Sequence, residues 1–186
     1  MKQDLRKLGL AVLVGGAAAG AADIISAIGG RAGKGGDGVA AGILQYIASG
    51  LLGQMAFQGG GLTVAAGLAV HFGLTIIMAA LFVLAALRRP VLLESPWLAG
   101  LCYGALLYVC MFYFIVPHSL ALQWKTPKGF WSNLSAAMGH GFFVGVPIAS
   151  AARYFLGARN EARIFRPASS ARLTRELWGK GGDQAA

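Results

Sequence analysis

The chain has 186 residues, of which 56% are hydrophobic and only 12% charged, whereas a soluble domain of this size carries roughly a quarter charged residues. That balance excludes an ordinary soluble domain and points to a membrane protein, and the length suits one compact helical bundle. The net charge of +9 is no nucleic-acid signal, because seven of the sixteen basic residues lie between Arg153 and Lys180 and most others flank apolar runs, the pattern of cytoplasmic anchoring to anionic headgroups.

Met1–Lys7 is basic and Leu8–Ala22 apolar, and Ala19-Gly-Ala21 would suit a signal peptidase. The apolar character resumes beyond Asp23, however, so Leu8–Ile28 reads as a retained first span of the length that a hydrocarbon core of about 30 Å requires. Its Gly16-Ala-Ala-Ala-Gly20 is a small-xxx-small face for a neighbouring helix, and Asp23 shares that side. Gly29–Gly38 reads as a flexible connector. Val39–Phe57 is apolar but carries Gln45, Tyr46, Ser49 and Gln54 and runs into Gly59-Gly-Gly61. It reads as an amphipathic or re-entrant segment rather than a span.

Three further spans follow. Leu62–Leu87 holds His71, with Gly67 and Thr75 on the same face. Pro96–Pro117 carries Gly100-Leu-Cys-Tyr-Gly104, three tyrosines, and Cys102 and Cys110. At about 12 Å apart along a helix, these cysteines are too distant for a disulfide, so they read as free, buried thiols. Leu134–Leu156 holds His140, the ladder Ala137, Gly141 and Gly145, and a kinking Pro147. Phe130-Trp131 precedes it as an interfacial aromatic pair.

The fold expected is therefore an all-α integral membrane bundle over residues 1–156, with a basic tail over 157–186 lying on the lipid. Four spans place the N-terminus, the Arg88–Ser95 loop and the tail on one side, with twelve basic residues against four on the other. The positive-inside rule then puts both termini in the cytoplasm.

Asp23, His71, His140 and His118 all fall in the outer half of such a bundle, within about 14 Å of that surface. Ionisable residues at that depth are functional candidates, and three uses compete. The aspartate and histidines bind helices together; or His71 and His140 are axial ligands of a haem or chlorophyll-type ring, for which neighbouring glycines make room; or Asp23, His71 and His140 form a proton or ion path. No metal-ligand spacing, haem-attachment motif, nucleophile elbow, zinc-protease motif or dinucleotide fingerprint is present. Only Asp23 among the seven acidic residues lies in a span, so paired-carboxylate chemistry lacks its second member.

Leu68-Ala-Val-His71, Leu98-Ala-Gly-Leu-Cys-Tyr-Gly104, Val116-Pro117 and Gly139-His140-Gly141-Phe-Phe-Val-Gly-Val-Pro147 together resemble the YagU-like family of small bacterial four-helix inner-membrane proteins. The likeness is best over Leu62–Tyr154. It implies a bundle with a histidine in the second span and a Gly-His pair in the last, and it brings no catalytic residues. The expected function is non-enzymatic: an accessory or structural subunit in the bilayer, packing through Gly16, Gly20, Gly67, Gly100, Gly104, Gly141 and Gly145 with itself or with other membrane proteins. The alternative is a tetrapyrrole-binding or proton-conducting bundle.

Overall fold

The computed structural model describes residues 2–35, 38–121 and 129–164, which form six α-helices: α1 (Lys2–Gly35), α2 (Val39–Leu52), α3 (Gly60–Arg88), α4 (Pro96–Val109), α5 (Phe130–His140) and α6 (Val146–Ile164). A 3₁₀ turn, Gly53–Phe57, prolongs α2, and another, Pro90–Leu93, follows α3. The α4 helix runs on through a π turn at Cys110–Ile115 to His118, and a second π turn, Gly141–Gly145, joins α5 to α6. Counted through these turns, five segments are long and apolar enough to cross a membrane: Asp4–Arg31, Val39–Phe57, Gly60–Arg88, Pro96–His118 and Phe130–Gly157. The protein is an all-α bundle of membrane-spanning type. The sequence suggests four such segments, and the fifth is Val39–Phe57. Its fourteen α-helical and five 3₁₀ residues give it a length of about 31 Å.

Periodicity explains which face of each helix turns inward. Along α3 the buried residues are Thr63, Gly67, His71, Thr75 and Ala79, then Phe82, Val83 and Ala86, one stripe at helical spacing. Ile77, Leu81 and Leu84 on the other side are exposed, as a lipid-facing surface should be.

The close approaches set the direction of every helix. A Cβ on Gly16 of α1 would lie 2.7 Å from the Ile76 Cα, and one on Gly20 would lie 2.8 Å from the Phe72 ring. Residue numbers rise along α1 as they fall along α3, so the two helices are antiparallel. Gly100 meets Val146, Gly104 meets Gly141, and Tyr108 reaches Asn133, which makes α4 antiparallel to α5–α6. Gly15 meets Ile148 and Ala151. One end of the bundle, the termini end, therefore holds the start of α1, the α3–α4 turn and the course of α6 toward Ile164. The far end holds the end of α1, the starts of α3 and α5, and His118. The α2 helix joins the end of α1 to the start of α3, and so begins and finishes on the far side. Its Leu44 carbonyl sits against Gly67, and its Gly50 carbonyl accepts a hydrogen bond from the Leu120 N–H at 3.0 Å.

Several local expectations change. Gly29–Gly35 is not a connector but the last two turns of α1. Gly29 and Gly30 have nothing packed against them, so the helix continues there by propagation from a formed span, which costs far less than nucleation. Residues 157–164 belong to α6, and the rest of the expected tail lies outside the described residues. Both cysteines are free, but Cys102 is exposed on the bundle's outer surface and Cys110 half-buried. The disturbance expected at Pro147 takes the form of the π turn directly before it, and the Cys110–Ile115 π turn precedes Pro117 in the same way. Proline lacks the N–H and crowds the carbonyl four residues back, and a widened turn relieves both.

Candidate functional site: a polar cluster in the far half of the bundle

The buried polar side chains are Ser49, Thr63, His71 and Thr75, all on the far side of Ala79. Toward the termini end the core is Ala79, Phe82, Val83 and Ala86 of α3, Ala11 of α1, and Ile148, Ala149, Ala152 and Leu156 of α6. The bundle is thus divided along its length into a polar half and an apolar half.

His71 is 8% exposed and lies about 16 Å along α3 from its start. Its Nε2–H donates to the Gly20 carbonyl of α1 at 2.9 Å, so this ring takes the Nε2-protonated form. The bond is possible because Gly20 has no side chain: a Cβ there would lie within 2.9 Å of Phe72 and the Thr75 hydroxyl. Thr75 donates to the Phe72 carbonyl within α3 at 3.1 Å.

His140 ends α5, where the π turn begins. A ring nitrogen bonds the Ala136 carbonyl one turn back, and Asp23 of α1 and His71 of α3 both act on it electrostatically. Tyr108 and Phe112 of α4 meet the ring edge to face, with centroids 5.6 and 5.2 Å away. Phe112 belongs to the other π turn. The two widened turns therefore sit beside the same imidazole. Such turns often mark functional positions in helices.

Asp23 is half-buried. Among the described residues no hydrogen bond or ion pair joins Asp23, His71 and His140 to one another, although they lie within electrostatic reach. His118 stands apart: it is exposed at the far end of α4, and its Nδ1–H donates to the Phe114 carbonyl at 2.6 Å.

The seven packing glycines all face another helix. A Cβ on Gly67 would strike the Leu44 carbonyl, on Gly104 the His140 carbonyl, and on Gly145 the Gly100 carbonyl. On Gly100 it would come within 2.6 Å of the Val146 backbone, and on Gly141 within 3.1 Å of Leu101. The spaces beside these glycines are filled by backbone or side chains of the same chain, so Gly16 and Gly20 offer no slot for a flat macrocycle between α1 and α3. His71 also commits its Nε2 to a backbone carbonyl. Among the described residues no three His, Cys, Asp or Glu side chains are grouped to hold a metal ion.

Sequence reasoning passed over two contributors. Asn133 accepts from the Tyr108 and Tyr113 hydroxyls at 2.8 and 2.6 Å while its Nδ2 donates to the Gly129 carbonyl. Arg153 donates from Nη1 to the Leu93 carbonyl at 2.7 Å and to the Glu94 carbonyl, clamping α6 to the α3–α4 turn. Only the periodicity of the tyrosines hinted at the first, and Arg153 reads from sequence as one of many anchoring cations. The chain matches no family model, no curated protein and no solved structure.

Proposed function

We propose that the protein is a small bacterial inner-membrane protein that is not an enzyme and acts as a structural or accessory component of the bilayer. In this reading α1, α3, α4 and α5–α6 cross the membrane, α2 enters and returns on the far side, and both termini are cytoplasmic. The antiparallel course of α1 against α3 carries the topology, because a full crossing by α2 would require those two helices to run the same way. The charge distribution supports the orientation: the termini side of a four-span course collects twelve basic residues against four. The polar bonds support a structural role, since His71, Tyr103 and Arg153 each tie one helix to the backbone of another element.

The glycine faces are occupied within the chain, so association with partners would use the exposed apolar surface, where Leu98, Phe114 and Tyr154 point outward. The test is native mass spectrometry of the full chain extracted from bacterial membranes in mild detergent. A defined oligomer or a reproducible membrane-protein partner is the expected result. A strictly monomeric, partner-free protein would count against an accessory role.

A further inference from the structure

The guanidinium of Arg153 is held by one nitrogen only. Its Nη1 donates to the Leu93 carbonyl at 2.7 Å and to the Glu94 carbonyl, which uses both hydrogens of that nitrogen. The Nε and Nη2 hydrogens along the edge away from Nη1 have no acceptor among the described residues. That edge is the planar fork that takes two oxygens of one phosphate or carboxylate side by side. The two backbone bonds fix the plane of the group, so the fork is set in place before any ligand arrives. Arg153 is nonetheless exposed. The turn that it grips carries more cations than anions: Arg88 and Arg89 stand at its start and Glu94 at its end, all three exposed. No ion pair joins Arg153 to Glu94 or to another acidic side chain among the described residues. The apolar segments meeting here end at Arg88 and begin at Pro96, which puts the turn where hydrocarbon gives way to headgroups. Tyr154 beside Arg153 is 81% exposed, and Trp97 at the start of α4 is 59% exposed. Aromatic side chains of this kind settle at headgroup level.

We propose that Arg153 and the α3–α4 turn form a binding site for the phosphate of one anionic phospholipid. The Nε and Nη2 edge takes two oxygens of the phosphate, while Arg88 and Arg89 attract the net negative headgroup. The same phosphate in a zwitterionic lipid carries its own cation and gains less from these two arginines. A lipid, rather than a phosphate ion from solution, is favoured by the depth of the fork and by the exposed Trp97 and Tyr154 at the same level. Arg153 therefore joins α6 to the turn with one nitrogen and binds lipid with its remaining edge. The site needs only that α3, α4 and α6 lie in the bilayer, and it holds whichever way α2 runs.

The test titrates the delipidated full chain, in a neutral mild detergent, with phosphatidylglycerol, with phosphatidylcholine of the same acyl chains, and with inorganic phosphate. Binding is read by native mass spectrometry and by the rise in unfolding temperature that a ligand of the folded state produces. Phosphatidylglycerol should bind about tenfold or more tightly than phosphatidylcholine, and millimolar inorganic phosphate should not displace it. Arg153→Gln should weaken phosphatidylglycerol binding about tenfold or more, and Arg88→Gln and Arg89→Gln about fivefold each. Arg153→Lys keeps the charge and a donor for the carbonyls but has no fork. It should therefore lose most of the lipid-dependent rise in unfolding temperature, which a purely structural arginine would not explain. Equal affinity for the two lipids, or unchanged phosphatidylglycerol binding in a folded Arg153→Lys chain, would overturn the site. Displacement by inorganic phosphate would make it a site for a soluble anion and overturn the lipid assignment. Should the Arg153 variants fail to fold, the double variant Arg88→Gln with Arg89→Gln leaves both carbonyl bonds in place, and an unchanged preference for phosphatidylglycerol there would equally overturn the proposal.

Discussion

The two halves of the bundle differ in what they bury. Toward the termini end, small and large apolar side chains interlock: Phe82 is 2% exposed and its ring lies 5.1 Å from that of Tyr103, against Ala79, Ile148 and Ala152. Toward the far end the His71 ring donates to the Gly20 carbonyl of α1, Gly67 and Gly104 bring backbones together, and α2 packs against α3. In lipid, burial of apolar surface gives no advantage over contact with acyl chains, so packing density and hydrogen bonds must supply the association. Both halves use both, since on the termini side Arg153 donates to the Leu93 and Glu94 carbonyls and Tyr103 to that of Met78, and among the described residues the far half alone buries Ser49, Thr63, His71 and Thr75.

The contrast is most sharply broken where backbones meet. Gly145→Val should cost the most, about 3 kcal/mol or more, because the added atoms meet the Gly100 carbonyl and the Gly104 nitrogen, neither of which is a flexible side chain. Reversible unfolding in mixed micelles would show it as loss of the folded population. Phe82→Ala, in the apolar half, should cost about 2–4 kcal/mol by leaving a void among rigid neighbours, read by the same unfolding measurement. His71→Phe removes the bond to the Gly20 carbonyl and should cost about 0.6 kcal/mol and no more than about 1.7, the average and the maximum for interhelical hydrogen bonds in membranes. Gly73→Ala and Gly139→Ala should stay within about 0.5 kcal/mol of wild type or slightly stabilise it, since nothing lies within 4 Å of an added Cβ and alanine favours the helix. If these two glycines behaved like Gly145, the distinction between packed and open glycines would fail.

Much of this was legible in the sequence because it depends on local spacing. The pairs Gly16 with Gly20, Gly100 with Gly104 and Gly141 with Gly145 repeat at one helical turn, and that interval is visible without knowing the neighbour. The face shared by Gly67, His71 and Thr75 was legible for the same reason. What each residue meets was not. His71 bonds a backbone carbonyl, a group every residue carries, so no sequence pattern singles out Gly20 as its partner. Arg153 reads as an anchoring cation because its targets, the Leu93 and Glu94 carbonyls, are sixty and fifty-nine residues away. Asn133 is an unremarkable polar residue until α4 brings two tyrosines to it. The length of α1 past Gly29 was missed because glycine is read as a breaker, and a helix already formed tolerates it. The course of Val39–Phe57 has the length of a span, and its direction emerges only from the contacts of its neighbours.

The α2 segment therefore bears the central claim, and labelling at its two ends tests it most directly. Arg31 near the end of α1 and Gln58 just beyond the α2 segment are both exposed, so Arg31→Cys and Gln58→Cys, each in a chain lacking Cys102 and Cys110, can be treated with an impermeant maleimide in intact cells and in inverted vesicles. Labelling of both positions from the outside of the cell, and of neither from the cytoplasmic face, is the result expected if α2 enters and returns. Labelling of the two positions from opposite faces would make α2 a true crossing and contradict the antiparallel course of α1 and α3.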